Sequence, residues 1–91
     1  VVDIISNGKE TYIVEGGNAG LTKGGTGDIL AGLTTALSAV NQSLLAAVSA
    51  SILLKQTGEK LFQSKGYWYN IGNIVESIPE VLYEFTISKN E

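Results

Sequence analysis

The sequence predicts a mixed α/β fold in which one β-hairpin is followed by a glycine-rich loop and then by helices only. Two short runs of β-branched and aromatic residues stand near the amino end. Six of the eleven glycines then fall within residues 16–27, and no charged residue occurs between Asp28 and Lys55. Paired strands, a backbone-flexible loop and apolar helices are the structures that these three patterns favour.

The predicted hairpin pairs residues 2–6 with residues 11–15 around Asn7 and Gly8. Asn-Gly between two such runs is the strongest short hairpin signal, because both residues accept positive φ. A two-stranded hairpin is marginal alone. We therefore expect copies of the chain, or a further part of the same domain, to extend the sheet; a small alanine-rich α+β domain is the alternative.

Helical periodicity predicts a first helix from Asp28 to Val40 and a second that Ser43 caps and Gly66 ends. The apolar stripe of the first helix is Ile29, Leu30, Leu33, Ala36, Leu37 and Val40. The inward residues of the second are Leu44, Ala47, Val48, Ser51, Leu54, Leu61 and Phe62.

A third helix is predicted to follow Asn70, which is its expected cap and precedes an apolar stripe of Ile71, Ile74, Val75 and Ile78. Pro79 should end, kink or restart this helix, because proline lacks the backbone donor of a helix interior.

Composition excludes several classes of function. With no cysteine and no histidine, the chain has no disulfide framework and no ordinary zinc or haem site. Six lysines, no arginine and a net charge of −3 provide no basic surface for nucleic acid. A membrane span needs about 20 apolar residues, and the polar residues 41–43 interrupt the charge-free run. We expect no nucleic-acid partner, no membrane partner and a cytoplasmic location.

The segment Gly24-Gly25-Thr26-Gly27-Asp28 is the candidate phosphate-binding loop. Glycines let several backbone N–H groups converge on one anion, and the following helix adds a partial positive charge at its start. Thr26 offers a hydroxyl donor. Asp28, expected at the first helical position, could act as the general base that accepts a proton from a substrate hydroxyl attacking a phosphoryl group. A simple capped turn is the alternative.

Two better-known phosphate motifs do not fit. A Walker loop ends in Gly-Lys-Ser/Thr, whereas Asp28 follows Gly27 here and Lys23 precedes the glycines. A dinucleotide fingerprint starting at Gly25 needs a third glycine where the chain has Leu30.

Residues 17–32, Gly-Asn-Ala-Gly-Leu-Thr-Lys-Gly-Gly-Thr-Gly-Asp-Ile-Leu-Ala-Gly, resemble the signature of the ATP- or ADP-dependent NAD(P)H-hydrate dehydratases, a branch of the ribokinase-like superfamily. Residues 2–8, 46–47 and 73–79 are similar to flanking segments of that family. Ala19, Leu21 and Lys23 depart from its usual residues, which are a proline, a methionine and a small or hydroxyl residue.

The resemblance implies a three-layer αβα sandwich of which residues 1–91 would be one C-terminal segment, and the absence of methionine agrees with a piece of a longer protein. It implies Asp28 as catalytic base and Asp28 and Asn18 as substrate-binding residues. It also implies an anion hole at residues 25–27, with Gly24 as a further nucleotide- or phosphate-binding residue. Phosphorylation of the hydrated nicotinamide hydroxyl and elimination of phosphate would restore NADH or NADPH. ATP or ADP with Mg²⁺ would take part, without a metal ligand from this chain.

Two other functions stay open from the sequence. A ribokinase-like small-molecule kinase would release a stable phosphorylated product. A non-catalytic nucleotide-binding or assembly module would show no turnover and would self-associate. For the isolated 91-residue chain we expect no turnover, and homo-oligomers or association with an upstream part of the protein.

Overall fold

A computed structural model describes residues 2–21, 24–39 and 42–90 of the chain. The strands are β1 (Val2–Ser6) and β2 (Thr11–Glu15), and a single 3₁₀ turn covers Ala19–Leu21. The helices are α1 (Thr26–Ser38), α2 (Ser43–Lys65) and α3 (Ile71–Asn90). The predicted order of one hairpin, a glycine-rich loop and then helices is confirmed, as a mixed α/β structure with a two-stranded antiparallel sheet.

The hairpin has the predicted register, from Val2 opposite Glu15 to Ser6 opposite Thr11. Of the two turn residues, which both accept positive φ, Gly8 adopts it with a φ of +90° and Asn7 does not. The Asn7 side chain explains the difference, because its Oδ1 accepts hydrogen bonds of 2.9 Å from the N–H groups of Lys9 and Glu10. Together with a backbone bond of 3.2 Å from the N–H of Asn7 to the carbonyl oxygen of Glu10, these bonds close a four-residue loop.

The two faces of the hairpin have different surroundings. Val14 is buried on the face toward α2, and Asp3, its cross-strand partner, bonds to side chains of α2. Ile4 and Ile13 are paired on the opposite face, where they are 72% and 64% exposed. The centre of the outer face of the sheet is therefore apolar and exposed.

Helix α1 starts two residues earlier than predicted, so Asp28 is its third residue and not its first. The cause is Gly25, whose left-handed conformation (φ +96°) ends the loop and lets Thr26 begin the helix. No described residue of α1 is fully buried. The predicted stripe is half-buried at Ile29, Leu30, Leu33 and Leu37, whereas Ala36 is exposed and Val40 lies outside the described residues.

Helix α2 is the centre of the fold and packs against the hairpin, α1 and α3. Ser43 is its first residue and Gln42 stands at the cap position, so the predicted serine cap is wrong, while Gly66 ends the helix as predicted. Of the predicted inward residues, Ser51, Leu54 and Leu61 are buried, and Leu44, Ala47 and Val48 are half-buried.

Phe62 is an exception to the predicted inward face. Its ring is 42% exposed and packs on Tyr67, with the ring centroids 4.8 Å apart. The sequence pattern also missed two buried polar residues of α2, Lys55 and Thr57.

Helix α3 begins at the predicted cap. Asn70 Oδ1 accepts the N–H of Asn73 at 2.9 Å, and Asn73 Oδ1 accepts the N–H of Asn70 at the same distance. This reciprocal arrangement satisfies donors that a helix start leaves open. Pro79 lies inside the helix, which therefore does not end there.

The core lies where the glycine-rich segment, α2 and the start of α3 meet. Its buried side chains are Leu21, Leu54, Leu61, Tyr69 and Ile74, with Ile29, Leu30, Ile71 and Ile78 packed against them. Within the described ranges, none of the helices combines the length and the apolar character needed to cross a membrane.

Candidate functional site

The first half of the glycine-rich segment is fixed to α2. Gly16 and Gly17 have φ values of +124° and +72°, which favour glycine. The N–H of Gly17 donates to Glu59 Oε1 at 3.0 Å. A side chain at Gly17 would also meet Leu21, whose Cδ1 lies 2.6 Å from the position of a Cβ. The segment can follow this path only because it carries no side chains here.

Asn18 is the hydrogen-bonding centre of this region. Its Nδ2 donates to the carbonyl oxygen of Gly58 at 2.8 Å. Its Oδ1 accepts both the N–H of Gly20 at 3.0 Å and the Tyr69 hydroxyl at 2.6 Å. The acceptor capacity of the amide is thus used within the chain. Nδ2 has a second proton, which Asn18 could donate in a hydrogen bond to a substrate.

Gly58 allows close packing between the segment and α2. A Cβ at Gly58 would lie 2.7–2.9 Å from three side-chain atoms of Leu21, which is itself buried. The Leu21 side chain therefore packs directly on the backbone of α2 at Gly58, where the helix has no side chain.

The second half of the segment leads into α1. Gly24 and Gly25 form the turn, and the N–H of Ile29 donates to the carbonyl oxygen of Gly25 at 3.1 Å as the helix begins. A Cβ at Gly25 would contact Ile71 at 3.5 Å, and the positive φ of Gly25 already disfavours any other residue. Thr22 and Lys23 of the signature lie outside the described residues.

Gly24 and Gly27 have neither of these reasons to be glycine. Among the residues that the structure describes, neither is recorded with a positive φ, and nothing lies within 4 Å of a Cβ built on either. Both are exposed, so the backbone of the loop presents a bare surface. A bare surface of this kind is what a ligand needs when it approaches the backbone closely.

Asp28 is exposed on the first turn of α1, next to this bare surface. A carboxylate in the first helical turn is stabilised by the helix dipole. The N–H groups of Gly27 and Asp28 precede the hydrogen bond from Ile29 that opens the helix, so they point beyond the helix start. Backbone donors and one carboxylate therefore stand side by side, where they can bind an anion and take up a proton.

The predicted site residues fall into two groups. Residues 24–28 form one continuous surface, whereas Asn18 belongs to the network on α2. Two open grooves of about 260 and 280 Å³ run beside the hairpin, and neither is lined by the loop. The candidate site is thus the bare surface of the loop and not one of these grooves.

Tyr69 bonds to Asn18 and packs against Gly20, and its sequence pattern did not single it out from its aromatic neighbours. It is 1% exposed, whereas its neighbour Trp68 is 91% exposed, although both belong to one aromatic run. Burial raises the pKa of the Tyr69 phenol, while its hydrogen bond to Asn18 opposes that shift. The phenol is therefore protonated near neutral pH and able to donate. Glu59 was missed as well, since an exposed acid on a helix carries no sequence signal.

A family model described as NAD(P)H-hydrate dehydratase matches residues 2–80, from β1 into α3. The match includes the glycine-rich segment and the network that holds it on α2. No curated protein and no solved structure gives a significant match.

Proposed function

The chain belongs to the NAD(P)H-hydrate dehydratase family, and we propose on that basis that it supplies the phosphate-binding loop and the catalytic base of an ATP- or ADP-dependent dehydratase. The reaction is the repair of hydrated NADH or NADPH. The observation that carries the assignment is the bare, exposed backbone at Gly24 and Gly27, directly before the Asp28 carboxylate.

In the proposed reaction, the hydroxyl oxygen of the hydrated nicotinamide ring attacks the terminal phosphoryl group of the nucleotide. Asp28 accepts the hydroxyl proton as the new P–O bond forms and the bond to the leaving nucleotide breaks. Elimination then breaks the C–O bond, releases phosphate and a ring proton, and restores the double bond of NADH or NADPH. Asp28 contacts the substrate hydroxyl, and Asn18 is a second substrate contact through its remaining Nδ2 proton.

The anion hole of this proposal is formed by Gly24, Gly25, Thr26 and Gly27. The left-handed Gly25 turns the loop toward the helix start, where backbone donors and the helix dipole favour a phosphate. Such fixed donors act most strongly on charge that develops during phosphoryl transfer.

Mg²⁺ would neutralise charge on the transferring phosphates. Among the described residues, no group of three His, Cys, Asp or Glu side chains could hold a metal ion. In this reaction Mg²⁺ would be held by the nucleotide phosphates.

The proposal also concerns the architecture. The uncovered apolar pair of Ile4 and Ile13 supports residues 1–91 as one segment of an incomplete ribokinase-like αβα sandwich, with a further layer on that face. Another part of the protein or a second copy would supply the cover, and the 91-residue chain alone would be inactive. A substrate that is an intracellular nucleotide agrees with a cytoplasmic location.

The test uses the full-length protein with hydrated NADH and either ATP or ADP. Formation of NADH is followed by absorbance in the wild type, in Asp28→Asn, and in Glu76→Gln as the matched control. Glu76 is an exposed acid on α3, so this control also removes one carboxylate. We expect Asp28→Asn to lose turnover by at least about 100-fold with an unchanged circular dichroism spectrum, and Glu76→Gln to remain active.

Two results would contradict the proposal. Undiminished turnover in Asp28→Asn would exclude Asp28 as the base. A stable phosphorylated product, with hydrated NADH left untouched, would identify a small-molecule kinase instead.

A further inference from the structure

A short support segment, residues 69–71, covers the end of the connection between α2 and α3 and the first residue of α3. It lies against the glycine-rich segment at two places, where Tyr69 packs against Gly20 and Ile71 lies beside Gly25. Gly25 belongs to the candidate phosphate-binding loop, residues 24–28, and Gly20 precedes the start of that loop by four residues.

The contact at Gly20 leaves no room for a side chain. A Cβ there would come within 2.7 Å of three atoms of the Tyr69 ring and hydroxyl. The Tyr69 hydroxyl donates to Asn18 Oδ1 at 2.6 Å, and the same oxygen accepts the N–H of Gly20. Asn18 in turn is bound to the backbone of Gly58 in α2. The hydroxyl thus completes a network that fixes the segment on the helix.

Ile71 lies beside Gly25 at the second place. Ile71 is the first residue of α3, and the reciprocal bonds between Asn70 and Asn73 fix the start of that helix. Its side chain lies at ordinary van der Waals distance, 3.5 Å, from a Cβ built on Gly25. Gly25 is the residue whose left-handed conformation sets the direction of the loop.

We propose that Tyr69 is a positioning residue for the phosphate-binding loop, acting through Asn18, with Ile71 supporting the loop from Gly25. This inference rests on the proposed function, since it assigns the loop to the nucleotide phosphates. A loop that is ordered before binding loses less conformational entropy when the anion arrives. It also keeps its donors in the geometry that phosphoryl transfer needs.

The test compares Tyr69→Phe with Tyr83→Phe in the full-length protein. Tyr69→Phe removes the hydroxyl and keeps the ring. Tyr83, on α3, is 66% exposed and provides the matched control. The Kd values of ATP and of ADP are measured by calorimetry at a temperature well below that of unfolding. KM and kcat are measured for the nucleotide. Amide hydrogen exchange of residues 17–28 is followed without ligand.

For Tyr69→Phe we expect Kd and KM of the nucleotide to rise about threefold to tenfold, the range that one lost hydrogen bond produces. Amide exchange in residues 24–28 should be faster than in the wild type, and Tyr83→Phe should change neither quantity. In an Asn18→Ser background the same substitution should have little further effect, because the Asn18 amide that the Tyr69 hydroxyl binds is already absent. If Tyr69→Phe does not fold, Ile71→Val gives the same readouts with a smaller expected change.

A lower unfolding temperature with unchanged Kd, KM and loop exchange would overturn the inference and leave Tyr69 a purely structural residue. Failure of the proposed function would give a different set of results. A wild type that binds nucleotide but does not dehydrate hydrated NADH refutes the function, while Kd and loop exchange still decide the role of Tyr69. A wild type that binds no nucleotide overturns both proposals.

Discussion

Lys55 Nζ lies 2.6 Å from Asp3 Oδ2, and this ion pair joins the first strand to the middle of α2. The Lys55 side chain is only 5% exposed and that of Asp3 30% exposed. Ser51 also donates to Asp3 Oδ2, at 2.5 Å. The hairpin has two strands, so its stability depends strongly on such bonds to the helices.

Replacing Lys55 by Met should destabilise the chain, because the Asp3 carboxylate would then lose its cation while remaining partly buried. We expect a loss of about 2 kcal/mol in the free energy of unfolding, which is less than for a fully buried pair. Urea unfolding measures it. The double variant with Asp3→Asn should recover part of the loss, and a change in Lys55→Met of less than about 0.5 kcal/mol would show that the pair contributes little.

The same pair predicts a pH dependence. Burial raises the pKa of Asp3, but hydrogen bonds from Lys55 and Ser51 outweigh it, so the pKa in the folded state is below the ordinary 3.8. A carboxyl with a depressed pKa adds stability that is fully present above its unfolded pKa. That stability is lost as pH falls from about 4 through the folded pKa.

The measurement is the urea midpoint of the wild type and of Asp3→Asn as the pH is lowered from about 6 to about 2. The wild type should be the more stable protein at the upper end, and the difference should shrink below about pH 4. A difference that stays constant over the whole range would contradict the assignment to Asp3.

Two glycines in helices should respond oppositely to alanine. A Cβ at Gly58 would lie 2.7–2.9 Å from the buried Leu21, whereas a Cβ at Gly32 would have no atom of the described residues within 4 Å. We expect Gly58→Ala to cost about 1–3 kcal/mol by overpacking and Gly32→Ala to stabilise the chain by about 0.5–1 kcal/mol. Thermal unfolding of both variants checks this, and equal shifts in the same direction would refute the packing argument.

The start of α3 gives a fourth prediction. Asn70→Ala removes the side-chain acceptor for the N–H of Asn73 and should reduce stability by about 1 kcal/mol. The control is Glu76→Ala, an exposed change on the same helix, which should stay within about 0.5 kcal/mol. Since Tyr69 and Ile71 flank Asn70, amide exchange at residues 24–28 should also rise in Asn70→Ala but not in the control.

Features that depend on local chemistry were predictable from the sequence. The strands follow from β-branched runs, the cap at Asn70 from its side-chain oxygen, and the end of α2 from Gly66. The start of α1 was misplaced because Gly25 occupies the cap position in the left-handed conformation, so the helix begins at Thr26.

Features that depend on distant partners were not predictable. Lys55 is buried because Asp3, 52 residues away, accepts its ammonium group, and nothing in the helix pattern reveals that pairing. The same holds for Tyr69, which lies next to the exposed Trp68 but has its hydrogen-bond partner at Asn18, 51 residues away. The candidate phosphate-binding loop was visible as a motif in the sequence, but the residues that pack against it were not.

Trp68 has a practical consequence, because it is the single tryptophan of the chain and precedes the support segment directly. An indole ring that is 91% exposed emits at the long wavelengths of a water-surrounded fluorophore and is open to aqueous quenchers. Trp68 is thus an intrinsic fluorescent probe next to Tyr69, the proposed positioning residue of the loop. A blue-shifted, quencher-resistant emission in the full-length protein would show that another surface covers this corner, without any added label.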